Sequence, residues 1–222
     1  MNMADSSQLK YEKALEYEIF VKGEYSFSIE KIKNAKCIFD IWWHVWFFSK
    51  WSRIYNKDVE IHYFEPVKDS YNKALKAFED DRKVILNNFW IASYTGGWML
   101  LYNSEKTMQS SKYLSFLNPK WIGINVSFVT LRNYLDLKNI LKIDVLKMDI
   151  EWMEIEVLSS FSDYEWSKIE NLIVEVHLFD DKKRCYWNQI FFDIKNKFKV
   201  VRIIGSWYRD EIFLLYASKS VL

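Results

Sequence analysis

The chain has 222 residues, half of them hydrophobic and 27% charged, with 31 basic against 30 acidic side chains for a net charge of +1. That length suits one domain with a full core, and the balanced charge removes the electrostatic case for nucleic acid or an anionic membrane surface as main partner. No apolar run reaches the roughly 20 residues that span a bilayer, residues 1–10 hold no apolar signal core, and Cys37 and Cys185 are too few for a disulfide framework or metal motif, so the expected address is the cytoplasm.

Residues 1–35 read as a helical segment, with Leu9, Ala14, Leu15, Ile19 and Phe20 set among Lys and Glu. A domain over residues 36–222 follows. It opens with a β-rich run at 36–41, then an amphipathic stretch at about 45–55. Strand patterns recur at 58–64 and 83–89, with a helical pattern at 67–80 between them. Tyr94-Thr95-Gly96-Gly97 signals a turn before a strand at 98–102. Periodicity is weak from 104 to 125, which predicts a loop or insertion. A helix opens near Thr130, a strand runs over 145–150, a helix over 153–161, a strand over 172–177 and a helix over 186–197. Strands at 200–204 and 211–217 have no helix between them. Alternating strands and helices predict a mostly parallel seven-stranded α/β sheet with helices on both faces. The last two strands predict a closing antiparallel hairpin.

Sheets of this kind bind ligands at the carboxyl ends of their strands. Five stretches fall there: residues 40–46, Glu65, residues 87–90, residues 147–152 and residues 175–177. Asp40-Ile41-Trp42-Trp43-His44-Val45-Trp46 joins a strand to a helix, where a nucleotide-binding fold carries glycines that let the backbone approach its ligand. Glu65 ends the next strand near the offset at which an acidic side chain accepts ribose hydroxyls; a helix cap at Asp40 and a solvated loop carboxylate at Glu65 are the plain alternatives. Lys147-Met148-Asp149-Ile150-Glu151-Trp152 alternates charged and apolar residues, which is costly in a central strand unless it faces a polar cleft. Glu175-Val176-His177 ends the next strand similarly, with His177 open to a structural or a catalytic role.

The order and spacing of these motifs resemble the FkbM-type methyltransferases, a branch of the class I (Rossmann-like) S-adenosylmethionine-dependent fold. That family shows Asp-Ile-Gly-Ala-(Asn/His)-Val-Gly, Phe-Glu-Pro, Lys-x-Asp-x-Glu-Gly and a strand ending Glu-x-His. Asp40 to Trp46, Phe64-Glu65-Pro66, Lys147 to Trp152 and Glu175-Val176-His177 stand in the same order over residues 36–217. The resemblance implies methyl transfer from S-adenosylmethionine, most often to a hydroxyl oxygen of a small molecule or sugar, with no metal. It implies that Asp40 and the loop with Trp42, His44 and Trp46 hold the methionine half of the cofactor. Glu65 would hold the ribose and Asn88 would lie near the adenine. Asp149, Glu151 and His177 would orient or deprotonate the acceptor, with Lys147 paired to one of the carboxylates.

One departure is systematic. Usage of about 7% glycine predicts about 16 glycines here, yet the chain has 5, alongside 11 tryptophans. Trp42, Trp46 and Trp152 stand where the family has glycine, and Trp90, Trp98 and Trp207 lie in stretches read as turns. A single-base change turns the glycine codon GGA into UGA, which some bacteria read as glycine and others as tryptophan. Two further functions remain open from the residues alone: a dinucleotide-dependent oxidoreductase, and a methyltransferase fold that has lost its cofactor. The former shares the first strand-loop-helix and the acidic residue after it; the latter takes the tryptophans literally.

Overall fold

The computed structural model describes residues 10, 12–42, 46–103, 106–111, 121–150, 153–178, 181–205 and 212–221. The N-terminal stretch folds into a π-helical turn at Tyr17–Val21, a 3-10 turn at Ser26–Ser28 and helix α1 at Ile29–Lys33. It shares the core of the sheet: Ile19, Tyr25 and Ile32 are buried with the strand residues, and Tyr25 packs edge-on against Phe48 and tilted against Trp51.

Strand β1 (Cys37–Trp42) leads to α2 (Phe47–Tyr55), β2 (Glu60–Phe64), α3 (Lys68–Ala77) and β3 (Val84–Asn87). Strands β4 (Trp90–Ile91), β5 (Gly96–Asn103), β6 (Lys106–Ser111) and β7 (Trp121–Val129) follow. Then come α4 (Leu131–Lys138), β8 (Val145–Asp149), α5 (Glu154–Ser159) and α6 (Asp163–Lys168). Strand β9 (Asn171–His177), α7 (Asp181–Lys197), β10 (Val200–Gly205) and β11 (Ile212–Ser218) complete the chain.

The main sheet has seven strands in the order β10-β11-β9-β8-β1-β2-β3. Pairs β3–β2, β2–β1, β1–β8 and β8–β9 are parallel, while β11 runs antiparallel to both β9 and β10. Its central strands carry near-continuous apolar residues because helices cover both faces: Ile38, Phe39, Leu146, Ile173 and Val174 are fully buried. Strand order reverses between β1 and β8, so the crevice at their carboxyl ends is the topological switch point.

Two expectations are corrected. Residues 104–125 are not a plain loop, since β6 and most of β7 lie there and join a second sheet, β4-β7-β5-β6. The signal was present: Ile122, Ile124, Val126 and Phe128 alternate with Gly123, Asn125 and Ser127, and Val126 and Phe128 are buried while Asn125 and Ser127 are exposed. Nor do Trp90 and Trp98 sit in turns. Both are strand residues, and the Trp90 ring is buried edge-on against Phe128. Trp51, Trp166 and Trp187 are likewise core residues. Trp207 lies outside the described residues.

Candidate active site

Register builds the site. Asp40 on β1 lies opposite Lys147 on β8 and Tyr63 on β2, and Trp42 lies opposite Asp149. Because alternate strand residues share a face, Asp40, Lys147 and Asp149 converge at one end of the switch point. Lys147 is fully buried, with its ammonium 3.3 Å from Oδ2 of Asp149.

Asp40 is also fully buried. Its Oδ2 accepts the Ser49 hydroxyl from α2, and its Oδ1 has no hydrogen-bond partner among the described residues. Burial pushes its carboxyl up to about 6, against the opposing pull of Lys147 and Ser49. Burial likewise pushes Glu24, from the N-terminal stretch, up to about 7, with Lys147 opposing and Glu18 and Asp149 reinforcing. Burial first, then the Asp149 carboxylate to which it is hydrogen-bonded, holds Glu175 well above the usual carboxylate range.

His177 ends β9 with its Nδ1 2.9 Å from Oε1 of Glu154, and both side chains are buried. Glu65, fully buried just beyond β2, accepts the Val67 backbone N–H at 2.7 Å. Asn88 spends its amide donors on the carbonyls of Glu65 and Pro66, at 2.9 and 3.1 Å, which braces that loop. A cavity of about 440 Å³ opens beside it, lined by residues 66–69, Asn88 and residues 125–127 of the second sheet. Trp46 caps α2, packs half-buried against the core and leaves its buried indole N–H without a partner among the described residues. Trp42 ends β1. His44, Glu151 and Trp152 lie outside the described residues.

The described tryptophans at glycine-like positions show no backbone strain. Trp46 has φ −68°, and among the described residues Asn139 alone has positive φ without being glycine. Any obstacle posed by Trp46 is therefore the bulk of its indole.

Sequence reasoning missed Glu24 and Glu154. Glu24 sits in a stretch that reads as amphipathic helix, and only the tertiary fold carries it to Lys147. Glu154 reads as the solvated face of a helix; α5 turns it inward against β9. A second group, Cys37, Glu60 and His62, collects at the opposite end of the sheet. There both His62 nitrogens are engaged, by the Tyr134 hydroxyl at 2.7 Å and Glu60 at 2.8 Å, as a structural bridge.

The raised carboxyls set a pH dependence. Above the ordinary carboxylate range, the folded chain holds protons on Glu175, on Glu24 up to about 7 and on Asp40 up to about 6 that the unfolded chain has released. Stability must then fall as pH rises through that window. His62 opposes at the acid end, because burial lowers its pKa and the unfolded state gains its proton below about 6.5. The melting temperature should therefore rise by about 2–4 °C from pH 8 to pH 6, the response to about 1 kcal/mol. Calorimetric scans of Glu24→Gln should show a smaller rise, the remainder coming from Glu175 and Asp40; an undiminished rise would place the titrating group elsewhere.

A family model described as "Methyltransferase FkbM domain" matches residues 39–203, about three quarters of the chain. None of the curated protein sequences compared matches it. Among solved structures, the chain is similar to SMU.1697c of Streptococcus mutans, described as a methyltransferase and solved in complex with SAH. The two are 8% identical with a TM-score of 0.52, over 87% of this chain and 96% of that one. An rRNA methylase from Streptococcus thermophilus gives 8% identity and a TM-score of 0.52, over 87% and 94%. The Methanococcus jannaschii fibrillarin pre-rRNA processing protein gives 9% and 0.50, over 85% and 68%. At such identities the likeness shows the fold alone, which is that of the class I methyltransferases.

Proposed function

Because the chain belongs to the FkbM methyltransferase domain family, we propose that it transfers a methyl group from S-adenosylmethionine to a hydroxyl oxygen of a small molecule or sugar. The observation that carries this reading is Asp40: a buried carboxylate at the switch point with one oxygen lacking a partner among the described residues. A buried acceptor left unsatisfied is costly, and the ammonium of the cofactor's methionine half is a donor of the kind it lacks. The cavity lined by residues 66–69 and Asn88 would give the nucleoside half a concave site, with Asn88 on the wall next to the adenine, and Glu65, the residue before that lining, would take the ribose hydroxyls. The loop of Trp42, His44 and Trp46 would border the methionine half.

When bound, the cofactor supplies a methyl carbon on a sulfonium, so that the acceptor oxygen's lone pair forms the new C–O bond as the C–S pair returns to sulfur. The protein's part is positioning the acceptor. Lys147 and Asp149 would orient the hydroxyl, with Glu151 and His177 as further acceptor-side groups. The second sheet and the N-terminal stretch with Glu24 would shape the acceptor pocket. A dinucleotide oxidoreductase finds no support in the family or the fold.

Replacing Glu65 with Ala should weaken S-adenosylhomocysteine binding by about 1–3 kcal/mol, the cost of removing one partner of a charged hydrogen bond. Calorimetry in a Trp42→Gly, Trp46→Gly, Trp152→Gly background measures it. Glu65→Gln keeps an acceptor for Val67 and separates ribose contact from loop support. An unchanged dissociation constant in both variants would reduce Glu65 to a loop carboxylate.

A further inference from the structure

Glu154, the first residue of α5, is fully buried beside His177. Its Oε1 accepts the backbone N–H of Ile150 at 3.2 Å while lying 2.9 Å from His177 Nδ1. With Oε1 already the acceptor of a backbone N–H, the proton of the second contact belongs on Nδ1. A neutral imidazole carries a single N–H, which makes Nε2 the basic nitrogen. Among the described residues, the other titratable groups near the ring are Asp149 on β8, whose oxygen lies within 4.8 Å of the Glu154 carboxylate and a His177 ring nitrogen, and Glu175 on β9 itself, which is electrostatically coupled to His177. The carboxylates of Asp149 and Glu154 stabilise an imidazolium once it forms, whereas Glu175, kept protonated by burial, adds little. Lys147 pairs with Asp149, and Asp149 also bonds Glu175.

We propose that Glu154 is a positioning residue that fixes His177 as its Nδ1–H tautomer, so that Nε2 takes the proton of the acceptor hydroxyl. The inference rests on the methyl-transfer reading above and names the base within it. The hydroxyl proton moves to Nε2, the oxygen keeps the electron pair it uses for the new bond, and Glu154 balances the imidazolium until the proton passes to water.

The chain has three histidines, His44, His62 and His177, so the imidazole nitrogens of the ¹⁵N-labelled full-length protein can be followed by long-range ¹⁵N–¹H correlation without cofactor or acceptor. Loss of one set of signals in His177→Gln assigns the ring. The expected result at pH 8 is a neutral His177 with its proton on Nδ1. The titration midpoint should fall by about 1–3 units in Glu154→Gln, where a neighbouring opposite charge is lost. Glu154→Asp should fall less, since the charge remains. Thermal melts check that each variant is folded.

Three results would overturn the proposal. An Nε2–H tautomer would put the basic nitrogen on the wrong side. An imidazolium persisting beyond pH 9 would mark a structural ion pair. Displacement of the Nδ1 proton by added Mg²⁺ or Zn²⁺ would mark Asp149, Glu154 and His177 as a metal centre. Absence of S-adenosylhomocysteine binding in the Trp42→Gly, Trp46→Gly, Trp152→Gly background together with the expected tautomer would instead sink the methyl-transfer reading and leave the Glu154–His177 pair standing.

Discussion

Replacing Lys147 with methionine is expected to destabilise the protein by about 3–5 kcal/mol at pH 8, the cost of removing one partner of a buried ion pair. The ammonium is fully buried, 3.3 Å from Asp149, and its field also lowers the carboxyls of Asp40 and Glu24. Methionine matches its stem but leaves those acids in an apolar interior with no cation. The loss should shrink toward pH 5, because carboxyls freed of Lys147 take up protons more readily and shed their desolvation penalty. Urea unfolding at the two pH values measures both effects. The double change Lys147→Met with Asp149→Asn should recover about half or more of the loss. A single-variant loss below about 1 kcal/mol would mean that Lys147 is not the cation on which this acidic cluster depends.

The triple change Trp42→Gly, Trp46→Gly and Trp152→Gly is expected to tighten S-adenosylhomocysteine binding at least tenfold, about 1.4 kcal/mol. At Trp46 the gain comes from space: the indole packs half-buried against the core and Phe47, and its backbone already has an ordinary φ. Removing it also removes a buried N–H without a partner among the described residues. Glycine is well tolerated as a helix N-cap, so little stability should be lost there. Paired calorimetric titrations of the two chains decide it. Equal, tight binding by the tryptophan chain would show that these side chains point away from the cofactor. Peptide sequencing from the native host would settle whether the codons are read as glycine or tryptophan.

Much of the fold was legible because alternating strand and helix patterns survive in a sheet buried on both faces. The lack of a helical pattern in the sequence between residues 204 and 211 announced the closing hairpin. Helix α6 was missed although Ser162 and Glu165 spell the capping box that starts it. The second sheet was missed because β7 was read as the end of a featureless stretch, despite its two-residue alternation. Of the site, spacing alone marked Asp40, Glu65, Lys147, Asp149 and His177. The structure gathers Asp40, Lys147 and Asp149 at the switch point through strand register. Glu24 and Glu154 were not legible, because their burial depends on contacts that no local pattern encodes.

The central claim is that the crevice between Asp40 and Glu65 holds the methyl donor. The most direct test is a crystal structure of the triple-glycine chain with S-adenosylhomocysteine. The account predicts the amino group of the ligand on Asp40, its ribose on Glu65, its adenine in the cavity beside Asn88 and its sulfur facing Lys147, Asp149 and His177. A ligand bound elsewhere, or an empty crevice at saturating concentration, would contradict it.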